Sequence, residues 1–199
     1  MSRLLSLALL VALTACTTAP VIEAPVADPA AAWRLHSSRM EAIRSWDIEG
    51  RIAIRSYNEA VNANLHWQQD GDNYEIYLSG PFGSGAVYLS GVPGAVRLKT
   101  DGEEMVADNA ESLLYQVTGL LVPIESLKYW IRGLPQPDSG GSQSLDPQGR
   151  LAQIEQDRWK VRFRAYTDVS RQQLPVKVFV DNHQLSVRIV IDKWSLPQS

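Results

Sequence analysis

One thiol and three imidazoles are the reactive groups that stand out in this chain. Cys16 is the single cysteine, set in Leu13-Thr14-Ala15-Cys16 behind Arg3 and an apolar run from Leu4 to Ala12. A cationic start, a short apolar segment and a small residue before the cut make a secretory signal, and the run is too short for a permanent membrane span. Leu-x-Ala-Cys is a bacterial lipobox. A thiol is the side-chain nucleophile suited to forming a thioether. Cys16 is therefore the expected attachment point for diacylglycerol, with an N-acyl chain added after cleavage. No thiol then remains for a disulfide. At about 0.8 kcal/mol per buried CH₂, two or three acyl chains hold a protein on a membrane stably. Thr17 follows the cysteine; an Asp there would suggest retention at the inner membrane, whereas Thr permits export to the outer one.

The rest of the chain offers little to an enzyme. His36, His66 and His183 are scattered, none with a second ligand at metal spacing. There is no G-x-S-x-G elbow, Walker loop or HExxH. Gly80-Pro81-Phe82-Gly83-Ser84-Gly85 has the glycines of a phosphate loop but lacks the Lys and the following helix. Glu103-Glu104 reads as a solvated edge. No catalysis, no metal and no cofactor beyond the lipid on Cys16 is expected. A net charge of −3 argues against nucleic acid and gives no footprint for anionic lipid.

The elements follow from periodicity. Residues 1–15 read as the signal peptide and 16–28 as the lipidated Cys with a flexible tether rich in Ala, Pro, Thr and Val. From Thr17 to Ala27 the random-coil reach is about 20 Å. Residues 29–199 read as one domain. Asp28-Pro29 starts a helix that places Trp33, Met40 and Ile43 on one face. From Trp46 the period becomes two, in segments around Trp46–Arg55, Val61–Gln68, Tyr74–Leu78, Val87–Leu89 and Val96–Leu98. Turns fall at Asp70-Gly71-Asp72-Asn73 and Pro93-Gly94. Asp108-Asn109-Ala110-Glu111 reads as a capping box. It leads into Leu113, Leu114, Val117 and Leu121 at helical spacing, broken by Gly119. Pro123 restarts a helix through Ile124, Leu127, Trp130 and Ile131, stopped by Gly133 and Pro135. Pro137 to Pro147 reads as a Gly/Ser-rich loop. Strands return at Leu151–Glu155, Trp159–Tyr166, Pro175–Asp181 and Gln184–Asp192.

Strands with short connections make an antiparallel meander with one apolar face, and that face needs a cover. The expected fold is α+β: a strongly curved antiparallel sheet, a half-closed barrel, covered by helices. Trp67, Leu78, Val87 and Leu89 from the sheet and Val117, Leu127, Trp130 and Ile131 from the helices suit either a dry core or an apolar cavity. Phe82 is a large apolar residue on a Gly/Pro turn. It either folds back onto the sheet or forms a tip that touches a membrane.

Several stretches carry a family resemblance: Gly80-Pro81-Phe82-Gly83-Ser84, Gly119-Leu120-Leu121-Val122-Pro123-Ile124-x-x-Leu127 and Tyr129-Trp130-Ile131-Arg132-Gly133-Leu134-Pro135, with Trp159 and Asp192-Lys193-Trp194. Behind a lipobox and in this order, they make the chain resemble the LolB family of outer-membrane lipoprotein receptors, from Trp33 to Trp194. The resemblance implies a half-closed β-barrel whose apolar cavity, lined by the eight residues above, receives acyl chains. It implies a lipid-anchored monomer at the periplasmic face of the outer membrane. Its partners would be the soluble periplasmic carrier LolA, lipoprotein cargo and outer-membrane lipid. An acidic carrier mouth would find Arg51, Arg55 or Arg132. The family's exposed apolar loop maps onto Gly80, Pro81, Phe82 and Gly83, with Phe82 at a position that is typically Leu. The competing expectation is a structural lipoprotein that scaffolds an envelope complex without lipid transfer.

Overall fold

The alternating segments assemble into a single antiparallel sheet. A computed structural model describes residues 24–80 and 85–197 of the chain. Helix α1 (Pro29–Ala42) leads into strands β1 (Ser45–Arg55), β2 (Ala60–Asp70), β3 (Asn73–Ser79), β4 (Val87–Val92), β5 (Ala95–Lys99) and β6 (Glu104–Ala107). Helices α2 (Ala110–Thr118) and α3 (Ile124–Trp130) follow. Strands β7 (Gly141–Leu145), β8 (Leu151–Gln156), β9 (Trp159–Val169), β10 (Gln172–Asp181) and β11 (Ser186–Ser195) complete the chain. The spatial order is β6-β5-β4-β3-β2-β1-β11-β10-β9-β8-β7. Two meanders therefore meet where β1 pairs β11, with Ile52 opposite Ile189 and Ile54 opposite Val187. The α2–α3 segment runs from one outermost strand to the other.

The sheet is bent, and α3 shows how far. Lys128 reaches Asp72 in the β2–β3 turn at 3.5 Å, while Trp130 donates its indole N–H to Gln156 at the end of β8 at 3.2 Å. In a flat sheet β2 and β8, five spacings apart, would be separated by about 24 Å. A single helical turn joins them because the sheet curls around its apolar face. Inside the curl lies one continuous core. Trp46 packs against Trp67 and Trp194 with ring centroids 5.2 and 5.6 Å apart, and Trp130 against Trp159 at 6.3 Å.

Local chemistry explains the element ends. The Asp28 carboxylate accepts from the Ala31 N–H at 2.9 Å, capping α1 with Pro29 at its first position. Asn109, not Asp108, caps α2 through the Ser112 N–H. Glu111 does not close a capping box: its carboxylate accepts from the Glu125 N–H and so ties the two helices together. Gly119 ends α2 in the left-handed conformation, φ 69°. The expected loop between Pro137 and Pro147 contains β7, whose sequence Gly-Ser-Gln-Ser-Leu lacks any apolar alternation. As an outermost strand with four of its five residues exposed, it has no face to hide and so leaves no pattern to read. β6, on the opposite edge, packs Met105 and Ala107 against the core, but its four residues, Glu-Met-Val-Ala, are too few to show a period. The lipobox, Cys16 and most of the tether lie outside the described residues. Val26, at the tether's end, donates its N–H to the Pro147 carbonyl at 2.8 Å.

The register between β1 and β11 slips at Glu49/Gly50, and Gly50 is required there. A Cβ at this position would sit 2.2 Å from the Val190 carbonyl oxygen. Gly50→Ala is expected to cost about 2 kcal/mol or more through forced backbone displacement, read as a lowered urea midpoint. An unchanged midpoint would show that the bulge absorbs a side chain freely.

Candidate functional site

Of the eight residues expected to line a cavity, Trp67, Leu89, Leu127, Trp130 and Ile131 are fully buried within the common core. Leu78 and Val87 are half-buried against it. Val117 is 43% exposed on α2. Open clefts mark the surface among the described residues, one of about 580 Å³ beside β3, β4 and β5 and one of about 400 Å³ beside β1, β2 and β11, and none of the eight lines either of them. The structure therefore packs most of these side chains against one another. Apolar residues at these spacings serve a filled interior as well as a hollow one, so the sequence pattern alone does not separate the two.

Burial along the inward sheet face is graded. On β1, Trp46 and Ile48 are buried, while Ile52 and Ile54 are half-covered. On β2, Trp67 and Leu65 are buried, Ala63 is half-covered and Val61 is 50% exposed. β3 runs from buried Tyr74 and Ile76 to half-covered Leu78, and β4 from buried Leu89 to half-covered Val87. The registers bring the partly covered ends together: Ile54 faces Val61, Ile52 faces Ala63, and Leu78 faces both Leu65 and Val87. The result is a contiguous apolar strip at one end of four neighbouring strands. Such a strip, continuous with the core and open to water on one side, is suited to an apolar ligand.

The Gly/Pro loop belongs to this same end. Gly80 directly follows β3, and the loop returns to β4 through Gly85 in a left-handed conformation, φ 62°. The strand ends it joins carry Leu78 and Val87, which pair with each other. Pro81, Phe82 and Gly83 lie outside the described residues. Ile52, Ile54, Val61 and Ala63 were legible as one face of alternating strands but not as its uncovered end. Their proximity to the loop-bearing ends of the hairpins was the available signal.

His66, Arg132 and His36 are engaged within the fold. His66 pairs with Asp47 at 2.6 Å on the outer face, and among the described residues no group of three His, Cys, Asp or Glu could hold a metal. Arg132 is not available to a partner. It is 8% exposed and donates to the carbonyls of Lys128, Met40 and Ile43 at 3.0, 3.2 and 2.6 Å, clamping α3 to the end of α1. His36 packs edge-on against Tyr166, and its Nε2 is buried without a hydrogen-bond partner. Burial and the neighbouring Arg150 guanidinium, partly offset by Asp146, pull its pKa down to about 4.

Comparison with known proteins agrees with this architecture. The family model described as outer membrane lipoprotein LolB matches residues 44–194. The outer-membrane lipoprotein LolB of Stutzerimonas stutzeri is 39% identical over 165 residues, covering 82% of this chain and 80% of that protein. That of Cellvibrio japonicus is 39% identical over 168 residues, covering 81% and 82% respectively. Among solved structures, a LolA-superfamily protein of Nitrosomonas europaea superposes with a TM-score of 0.55 at 8% identity, over 84% of this chain and 94% of that one. The likeness is one of fold.

His36 generates a pH prediction. Its folded pKa lies below its ordinary value of 6.5, so as the pH is lowered from about 6.5 to 4 the unfolded chain binds the proton first and stability is lost. His36→Phe is expected to flatten that part of a urea-stability profile against pH. A slope unchanged by the substitution would place the acid sensitivity elsewhere.

Proposed function

The chain belongs to the LolB family of outer-membrane lipoproteins, and from that membership we propose that it accepts lipoproteins from the periplasmic carrier LolA and inserts them into the outer membrane. The observation that carries this reading is the half-covered strip of Ile52, Ile54, Val61, Leu78 and Val87, continuous with the core and adjoining Gly80 at the end of β3. In this reading the protein is held at the periplasmic face by acyl chains on Cys16, and it performs transfer without catalysis.

The energetics favour a sheltered hand-off. Exposing a ~16-carbon chain to water costs on the order of 12 kcal/mol, at about 0.8 kcal/mol per CH₂. A lipoprotein with three such chains has a negligible free population, so its tails must pass directly from one apolar surface to another. The strip provides the first contact. Extension of the site into the core requires α2 and α3 to move off the sheet, which would turn Trp67, Leu89, Leu127 and Trp130 from packing residues into lining. Exposed Val117 and Leu121 on and beside α2 leave that cover with less buried area to lose. Phe82 would enter the bilayer and present the loaded end to lipid.

Two substitutions separate the steps. Val61→Asp, at a half-exposed position, is expected to leave the fold intact and weaken binding of a fluorescent acyl probe by about tenfold, the equivalent of one or two lost CH₂ contacts plus a nearby charge. Phe82→Glu is expected to preserve probe binding and impair delivery into vesicles. Full probe binding by Val61→Asp, or full delivery by Phe82→Glu, would refute the corresponding assignment.

A further inference from the structure

The chain's overall negative charge conceals a strongly basic surface. On the outer face of the sheet, residues 51–55 of β1, 162–164 of β9, 177–181 of β10 and 188–192 of β11 lie on four neighbouring strands. They carry Arg51, Arg55, Arg162, Arg164, Lys177 and Arg188 against only Asp181 and Asp192. Six cations against two anions is +4 here, and with a chain total of −3 the remainder carries −7. The registers make the cluster compact. Arg188 faces Phe179, which faces Arg162, and Arg51 faces Val190, which faces Lys177. Four strands span about 15 Å.

The existing partners do not neutralise it. Asp181 is shared between Arg162 and Arg188 at 2.6 and 2.7 Å, and Asp192 holds Arg51 at 3.0 Å. Arg164 and Arg188 both lie over the Phe179 ring, at 5.8 and 4.6 Å from its centroid. Among the described residues, Arg55, Arg164 and Lys177 are exposed and have no carboxylate within ion-pair distance. An open cleft of about 400 Å³ between Arg51, Asn62, Asn64 and Arg188 adds guanidinium and amide donors, the groups that recognise phosphate oxygens.

We propose that this outer sheet face docks onto the anionic phospholipid headgroups of a bilayer. The inference rests on the reading that Cys16 anchors the chain. Val26, ten residues beyond Cys16, is bonded to Pro147, so the anchor keeps the domain within about 35 Å of lipid. At that range each cation close to an anionic leaflet strengthens association by about fivefold, with salt screening the effect. The helices α2 and α3 and the open apolar strip lie on the opposite face, so docking leaves them free to meet a carrier. The position of the cations, which a net charge cannot report, is what makes the surface suited to lipid.

The test uses the unacylated chain from residue 16 onward, since every described element lies within residues 29–195. It is sedimented with vesicles rich in phosphatidylglycerol and with purely zwitterionic vesicles, at low and high salt. The triple variant Arg55→Glu, Arg164→Glu, Lys177→Glu removes the three cations without orphaning an ion-pair partner. Binding is expected only with anionic vesicles, to weaken at high salt, and to fall by at least about tenfold in the triple variant. Circular dichroism and acyl-probe binding are expected to be unchanged in that variant. Equal binding to both vesicle types, or no loss on charge reversal, overturns the proposal. If the reversal instead lowers capture of the carrier while vesicle binding persists, the face reads an acidic protein and the lipid assignment is equally overturned. Acyl-probe binding by the parent chain reports on the transfer reading separately, so the two can fail independently.

Discussion

An eleven-stranded sheet with one apolar face has more surface to cover than its helices can supply. Laid flat, the sheet would be about 50 Å wide, whereas α2 and α3, with 9 and 7 residues, are only about 13 and 10 Å long. The sheet therefore bends until its own halves shield one another, with the β1–β11 pairing as the seam and α3 bridging the interior. Arg132, clamping α3 to the end of α1 through the Met40 and Ile43 carbonyls, and Glu111, joining α2 to α3, hold the cover in place. What remains uncovered is the loop-bearing end of β1 to β4. The open strip is thus a geometric remainder of the fold, and the proposed site occupies it.

That remainder suits a transfer protein better than a closed core or a wide-open trough would. A deep, permanently empty apolar cavity costs the folded state the contacts its lining would make. A core that fills when unloaded and opens when an acyl chain displaces the cover avoids that cost, and the bound chain replaces the lost contacts. The Trp-rich interior provides large, flat surfaces for such exchange. In the proposed account the bilayer is the final acceptor, and the tails pass downhill to it through surfaces that never expose them to water.

Much of the fold was legible because it obeys simple periodicities. Period-two alternation located β1 to β5 and β8 to β11 to within a few residues. Asp28-Pro29 and Gly119 marked helix ends through their backbone chemistry. The edge strand β7 escaped notice because four of its five residues are exposed, and β6 because four residues are too short a run to show its alternation. The site was less legible. Alternation tells which face of a strand is inward but not how deep each position lies, so Trp67 and Val61 read alike although one is buried and the other half-exposed. Arg132 looked like a surface cation because its carbonyl acceptors on Met40 and Ile43 are remote in sequence. The basic outer face was invisible for a related reason: its cations come from four strands that only the sheet order makes neighbours.

The account depends most on tails reaching this protein directly from another sheltered surface. The decisive measurement is to incubate carrier-bound, acylated lipoprotein with the purified protein in solution, without membranes, and to follow where the cargo goes. The account predicts that cargo leaves the carrier and forms a stable complex with this chain. Cargo that stays on the carrier until a bilayer is added would contradict it.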